Sequence, residues 1–410
     1  MRILILTQYF PPEVGAPQNR LFELAVRLKN KGEQVVILTA MPNYPEMKVH
    51  DRYKGRFYIN EEMDGLAVHR CWIYVGSSRG IFSRLMNYFS FVVSSFCIGL
   101  FRIKKQDILI CESPPLFLGI SAYLLKLFKG AKMVFNVSDL WPESAEKLGI
   151  VKNRFLLWIS YRLEAFLYRR SVLVSGQTQG IVKSISSRFP GKRTFWLPNG
   201  VDPDHYKPVE NKDWKLQHGF DEKDVLFLYA GIIGHAQGLE VILKAADRLR
   251  SEKHIKFLLL GSGPEKERLL RMKDELKLEN VFFIDTVSKA EMPVIIASVD
   301  AAVIPLRKLD LFKGAIPSKI FENLAMKKPI VLGVEGEAKE LFIDEGRCGL
   351  AFEPDNDLDL SEKILTLYRD PSLLRTFGEN GIRYVRSKFT RDQIAEKFRN
   401  VLNEINPAKE

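Results

Sequence analysis

Two stretches carry residues whose types and spacing could do chemistry. The apolar run Val225 to Ala230 ends in Gly231-Ile-Ile-Gly234-His235-Ala-Gln-Gly238, and a helical pattern follows from about Leu239 to Leu249. Backbone amides in a glycine turn ahead of a helix can cradle a phosphate, and the helix dipole adds positive potential; the same residues also fit a simple tight turn. Further on, Gly314-Ala-Ile-Pro317-Ser318-Lys319-Ile-Phe-Glu322 places Pro317 and Ser318 at a helix start, Lys319 in its first turn and Glu322 three residues later. Lys319 and Glu322 then share a face. A lysine beside free helix-start amides suits a diphosphate, and a carboxylate one turn deeper can accept both hydroxyls of a ribose. A capped helix with an i, i+3 ion pair is the alternative use of these residues.

The elements that must position them alternate. Short β-rich runs at Ile3 to Thr7, Gln34 to Thr39, Ala67 to Ile73, Asp107 to Cys111, Lys132 to Val137, Val172 to Ser175 and Thr194 to Leu197 are separated by helical patterns. After a polar stretch the alternation restarts at Val225, Lys256, Val281, Ala301 and Pro329. This is the signature of βαβ units, and it predicts two doubly wound parallel-sheet, Rossmann-like domains, with ligands outside the strand C-terminal ends and a cleft between the domains. Glycine and proline concentrate where those ends fall: PPEVGAP after the first strand, SPP at 113 to 115, PNG at 198 to 200, and GSGP at 261 to 264. The predicted domains are 1–200, carrying a long apolar helix, and 201–385. A C-terminal helix in 386–410 is expected to return to the first domain.

Of the 410 residues, 46% are hydrophobic and 27% charged, which excludes a disordered chain. Cys71, Cys97, Cys111 and Cys348 are scattered without a C-x-x-C pair, suggesting neither a disulfide scaffold nor a zinc site. The opening MRILILTQYFPPE reads as a first strand, not a secretory leader. Charge is lopsided: residues 1–197 hold 28 Lys and Arg against 14 Asp and Glu, while the remainder holds 33 against 36. The basic half suits a polyanion, either nucleic acid or an anionic membrane surface. No recognised nucleic-acid-binding motif accompanies it. The segment Arg79 to Lys105 favours the membrane, since Leu85 to Phe101 is 17 residues without a charge. Its polar and small positions, Ser83, Asn87, Ser90, Ser94 and Ser95, fall on one narrow stripe, and Arg84, Arg102, Lys104 and Lys105 flank it. Trp158, Tyr161, Arg162, Phe166, Tyr168, Arg169 and Arg170 add the aromatic and basic mixture of headgroup depth. A buried core helix is the other reading of the segment.

Taken together the sequence resembles the retaining glycosyltransferases of family 4, which have the two-domain GT-B architecture. The resemblance rests on Y-F-P-P-E-x-G (Tyr9 to Gly15), L-P-N-G-V-D (Leu197 to Asp202), Y-A-G, G-S-G-P-E (Gly261 to Glu265) and P-S-K-I-F-E. D-L-W-P-E-S (Asp139 to Ser144) and Y-A-G-I-I-G-H-A-Q-G-L-E are similar to the WbuB-type branch of O-antigen and capsule transferases. The resemblance implies a UDP-linked donor, an N-acetylamino sugar or its 6-deoxy form, and retention of configuration. By that resemblance Glu322 matches the second glutamate of the E-x7-E motif and holds the donor ribose, while Gly314 stands where the first glutamate would be. Ile232 and Gln237 stand near positions where many members carry a diphosphate-clamping Arg and Lys, leaving Lys319 and the Gly231 to Gly234 amides as the clamp, with Pro317 and Ser318 among the donor-binding positions. Gly15 matches a glycine loop that approaches the donor phosphate. Asp139 matches a cleft aspartate for the acceptor hydroxyl, with Ser138 replacing a histidine of many relatives. Thr286 and Val287, with Gly261 and Gly263 beside them, match the place where backbone atoms read the base.

The mechanism so implied is front-face attack, with the protein supplying positive potential and fixed geometry and no side-chain nucleophile. No metal or other cofactor is expected: Asp202-Pro-Asp204 and Asp355-Asn-Asp357-Leu-Asp359 read as turns and caps. The expected partners are a nucleotide-sugar donor, a polyprenyl-diphosphate-linked acceptor and an anionic membrane surface, with no nucleic acid. The expected location is cytoplasmic, at the inner face of the cell membrane. Two alternatives share the fold: a UDP-sugar 2-epimerase, which needs no acceptor, and a sugar-binding protein without catalysis.

Overall fold

The structure is a computed structural model that describes residues 1–13, 15–44, 47–76, 81–147, 149, 151–209 and 213–407. Arg79, at the head of the apolar segment, lies outside the described residues. The chain divides into two compact units, Met1–Asn199 with the stretch from Arg391 onward, and Gly200–Thr390.

The first unit is built on β1 (Arg2–Leu6), β2 (Gln34–Ala40), β3 (Tyr58–Met63), β4 (Leu66–Cys71), β5 (Ile108–Ser113), β6 (Lys132–Val137), β7 (Leu173–Gly176) and β8 (Thr194–Trp196). Their order is β3-β4-β2-β1-β5-β6-β7-β8, parallel throughout except for β3. Side chains alternate between faces. Ile3 and Ile5 of β1 join a core with Leu21, Leu24 and Leu28, whereas Leu4 and Leu6 join another with Leu118, Leu125 and Leu167. The sequence reading misses β3, because Asn60, Glu61 and Glu62 break its apolar pattern. It is the edge strand of a hairpin turned at Asp64 (φ 48) and Gly65 (φ 73), a two-residue turn that requires positive φ at both positions.

The second unit is built on β9 (Val225–Ala230), β10 (Ile255–Leu260), β11 (Val281–Ile284), β12 (Ala301–Pro305), β13 (Ile330–Gly333) and β14 (Gly349–Ala351). The order β11-β10-β9-β12-β13-β14 is parallel throughout. Its boundary lies at Thr390, beyond the 385 read from the sequence, because the helix Pro371–Lys388 runs on and Phe389 packs against Phe321 and Phe342 of the same unit. The final helix, Arg391–Ile405, buries Ile394, Ala395, Phe398 and Leu402 against the β1 face of the first unit.

Each sheet winds outward in both directions, from β1 and β5 in one unit and from β9 and β12 in the other. Such switch points leave a crevice at the strand C-terminal ends. The chemistry-bearing residues lie there.

Candidate functional site

In the second unit the sheet places the predicted residues side by side. The Gly231 N–H donates to the Leu260 carbonyl at 2.9 Å and the Gly261 N–H to Ile284 at 3.0 Å, so the loops after β9, β10 and β11 continue the ladder. This corrects the expected role of Gly231: its amide is engaged and cannot cradle a phosphate. What the position requires is the absence of a side chain, since its φ is +140° and a Cβ would lie 2.9 Å from the Lys319 Nζ. Gly261 and Gly263 allow the same close packing, because Cβ atoms there would lie 1.9 Å from the Gly231 carbonyl oxygen and 2.3 Å from that of Ile233. Gly234 precedes the short 3-10 turn His235–Gln237. Thr286 and Val287 follow β11 in the adjoining loop, Thr286 exposed and Val287 half-buried.

Lys319 reaches this cluster from the helix Lys319–Ala325, whose first turn follows Pro317 and Ser318. The amides of Ile320 and Phe321 are taken by the carbonyls of Pro317 and Ser318. The Lys319 Nζ sits 3.8 Å from the centroid of the Tyr229 ring, whose hydroxyl in turn donates to the Ile232 carbonyl at 2.6 Å. Among the described residues no acceptor takes a hydrogen bond from that ammonium. Burial pushes Lys319 down to about 7, against a smaller upward pull from Glu322. A half-desolvated cation over an aromatic face, beside a side-chain-free turn, is a place for an anion. Glu322 is half-buried one turn further along the same helix, between buried Phe321 and Asn323.

The turn around Gly234 and Gly238 is fastened by a chain of charges that the sequence reading did not single out. Arg307 donates to the His235 carbonyl at 2.8 Å and pairs with Glu240 at 2.5 Å; Arg268 joins Glu240 to the buried Glu265, which meets His235 at 2.9 Å. Glu265 belongs to G-S-G-P-E, so that motif's carboxylate braces the turn.

In the first unit, Gly15 caps the helix Ala16–Asn30 in an extended conformation (φ 177), which any residue can adopt. A Cβ there would lie 2.3 Å from the Gln18 side-chain oxygen. The preceding Y-F-P-P-E turn is held by Glu13, whose buried carboxylate accepts the N–H groups of Phe10, Asn43 and Tyr44 at 3.1, 2.7 and 2.8 Å. Asp139 follows β6; its Oδ2 accepts from Ser144 at 2.8 Å and its carbonyl from the Trp141 N–H at 2.9 Å. The residue is exposed, and neighbouring atoms that exclude water push its carboxyl upward while Ser144 and the Leu140 N–H oppose that shift.

Beneath Asp139 lies a buried network missed from sequence. Arg20 donates 2.6 Å bonds to both Glu112 and Ser138, and Ser138 also bonds Glu112. Asn136 donates to the second Glu112 oxygen at 2.5 Å and accepts from Ser175 at 2.6 Å. Arg20 and Glu112 are both about 4% exposed. The available signal was a carboxylate ending an otherwise apolar strand, ILICE, just before Pro114 and Pro115.

No cluster of three metal-ligating side chains occurs among the described residues. The two Asp-rich stretches are engaged locally: Asp202 accepts the Asp204 and His205 amides, Asp355 that of Lys308, and Asp359 that of Glu353.

Two doubly wound parallel-sheet units of this topology have the GT-B architecture. Residues 15–200 match the family model described as "Glycosyl transferase 4-like domain" and 210–384 that of "Glycosyl transferases group 1". The chain belongs to the family 4 glycosyltransferases and is an enzyme of that class. It is 26% identical over 410 residues to the putative colanic acid biosynthesis glycosyl transferase WcaI of Escherichia coli K12, covering 98% of this chain and 99% of that one. A Campylobacter jejuni N-acetylgalactosaminyltransferase named for a diphospho-undecaprenol substrate is 23% identical over 55% of this chain and 59% of its own. Among solved structures, Anabaena HepE in complex with UDP and glucose superposes with a TM-score of 0.74 at 16% identity, covering 98% of this chain and 99% of that one.

Proposed function

We propose that the chain is a retaining transferase that moves an N-acetylamino or 6-deoxy-amino sugar from a UDP-sugar to a polyprenyl-diphosphate-linked glycan in cell-surface polysaccharide assembly. The observation that carries the donor half is Lys319: a cation without an acceptor among the described residues, over Tyr229 and against Gly231. The names of the relatives, colanic acid for one and diphospho-undecaprenol for another, support the acceptor class. In this reading the acceptor oxygen bonds to the anomeric carbon as the bond to the diphosphate breaks, and the acceptor proton passes to the departing diphosphate oxygen. Lys319 stabilises the charge that grows there, and Glu322 holds the ribose. Asp139 is assigned to the acceptor hydroxyl and Gly15 to a phosphate, as the family resemblance implies.

A thermal-shift screen of nucleotide sugars tests this. A saturable shift with a UDP-linked sugar is expected, and turnover with that donor should persist in EDTA because Lys319 supplies the charge a metal would otherwise bring. No shift with any UDP-sugar removes the donor assignment; turnover lost in EDTA and restored by Mg²⁺ or Mn²⁺ removes the metal-free mechanism.

We also propose that the first unit docks on an anionic membrane. Among the described residues, Ser83–Arg102 is the one helix long and apolar enough to cross a membrane. Its polar stripe faces inward: Asn87, Ser94 and Ser95 are buried beside Phe91 and Val92, while Met86, Phe89, Val93 and Phe101 are exposed, the last by 80%. The inward polar groups bond the first unit, Ser94 to the Trp72 carbonyl at 2.6 Å and Ser95 to Ser121 at 2.9 Å. Exposed Phe128, Phe155 and Trp158 extend the apolar surface, and Arg162 lies 5.2 Å from the Trp158 ring centroid. Co-sedimentation with phosphatidylglycerol vesicles is expected at low salt and should weaken above about 0.5 M salt, where charges are screened within a few ångströms. A protein left wholly in the supernatant at low salt would show the helix to be only a packing element.

A further inference from the structure

Three aromatic rings lead from the exposed face of the helix Ile81–Arg102 to Asp139. Phe89 is 41% exposed on that helix. Its ring centroid lies 4.9 Å from that of Phe117, and Phe117 lies 5.4 Å from Trp141. Trp141 belongs to the tight turn closed by its own N–H on the Asp139 carbonyl. The rings are not sealed into the core: Phe117 and Trp141 are half-buried. The Trp141 indole N–H has no hydrogen-bond partner among the described residues and is not sealed from solvent, so a ligand can take it. A half-buried ring that packs against the core and carries an N–H without a protein partner is suited to a pyranose, whose C–H face stacks on an aromatic ring while a hydroxyl takes the N–H.

We propose that Trp141, steadied edge-on by Phe117 at an interplanar angle of 67°, is the binding platform for the sugar ring of the lipid-linked acceptor, with Phe89 joining it to the lipid-facing surface. This rests on the transferase reading above and adds the place where the acceptor sugar sits. The platform lies in the same turn as Asp139, whose carboxylate is fixed by Ser144. The lipid chain would remain with Phe89 and the exposed apolar residues of the helix.

Binding to the full chain tests it, using citronellyl-diphosphate-linked N-acetylglucosamine and citronellyl diphosphate without the sugar as probes. Stacking on a C–H face tolerates different hydroxyl patterns, so one pyranose suffices. Saturation-transfer signals are expected on the sugar C–H protons with the wild type. Trp141→Leu should weaken the sugar-bearing probe about 10-fold and Phe117→Leu, which removes the support of that ring, about 5-fold, both leaving the sugar-free probe nearly unchanged, whereas Trp141→Phe, which keeps a ring, should lose no more than about 3-fold. If Trp141→Leu does not fold, Phe117→Leu and Trp141→Phe carry the comparison. The platform is overturned if the wild type binds neither probe, if it binds both equally, or if the leucine variants match the wild type. UDP binding followed in the same samples separates the two readings: its absence in the wild type counts against the transferase assignment, while its presence beside a failed sugar probe removes only the platform.

Discussion

Replacing Lys319 by alanine should lower kcat and kcat/KM together, by about 10² to 10³. The lysine acts on charge that grows as the diphosphate departs, so its loss falls mainly on the transition state. Its ammonium is already stripped of part of its water and held over Tyr229, with no acceptor among the described residues to be displaced from it before the donor binds. Glu322→Gln is the contrasting case. It removes a charge-assisted hydrogen bond worth roughly 1.5 to 3 kcal/mol that the ribose makes equally before and during reaction, so it should raise the donor KM and spare kcat. An unaltered kcat for Lys319→Ala would make the lysine a support for Tyr229 and nothing more.

A pH dependence follows with a definite sign. Burial lowers Lys319 to about 7 in the free enzyme, so below that pH it is already charged when the donor arrives. Above it, binding an anionic diphosphate requires proton uptake, and donor affinity should fall by about tenfold per pH unit until the pKa of the bound state is reached. Titration of donor binding between pH 6 and 9 checks this, and Lys319→Ala should flatten the curve.

The sequence disclosed more of the second unit than of the first, for a physical reason. Strand ends there are marked by glycine because loops pass close to one another, and Gly231, Gly261 and Gly263 could be found from that signal alone. What each glycine does was not legible: Gly231 was expected to offer an amide, and its amide is spent on Leu260. Lys319 and Glu322 were legible because helical spacing links them locally. Arg20 and Glu112 are 92 residues apart and meet only through the pairing of β1 with β5 and the packing of the first helix, so no local spacing announces them. The same holds for Arg307 and Glu240, which are 67 apart. In the helix Ile81–Arg102 the polar stripe was visible, but its inward direction was not, since periodicity gives the faces of a helix without saying which one meets the protein.

Arg20 provides the largest expected effect on stability. The Glu112 carboxylate is held by Arg20, Ser138 and Asn136 in a site almost closed to water. Arg20→Met removes the only cation in that set and leaves a buried negative charge with two neutral donors. Breaking a buried pair on one side costs about 3 to 5 kcal/mol, more than Met can return by packing, because the penalty is the uncompensated charge. For a unit of this size that corresponds to a fall of roughly 6 to 20 °C in Tm. Arg20→Met combined with Glu112→Leu should recover part of the loss, since the charge that makes the single variant costly is gone, although Asn136 and Ser138 then lose an acceptor. Differential scanning calorimetry on both variants reads the result. A single variant that melts within about 2 °C of the wild type would mean that water reaches Glu112 and solvates it, and the network would then position Ser138 and Asp139 without holding the first unit together.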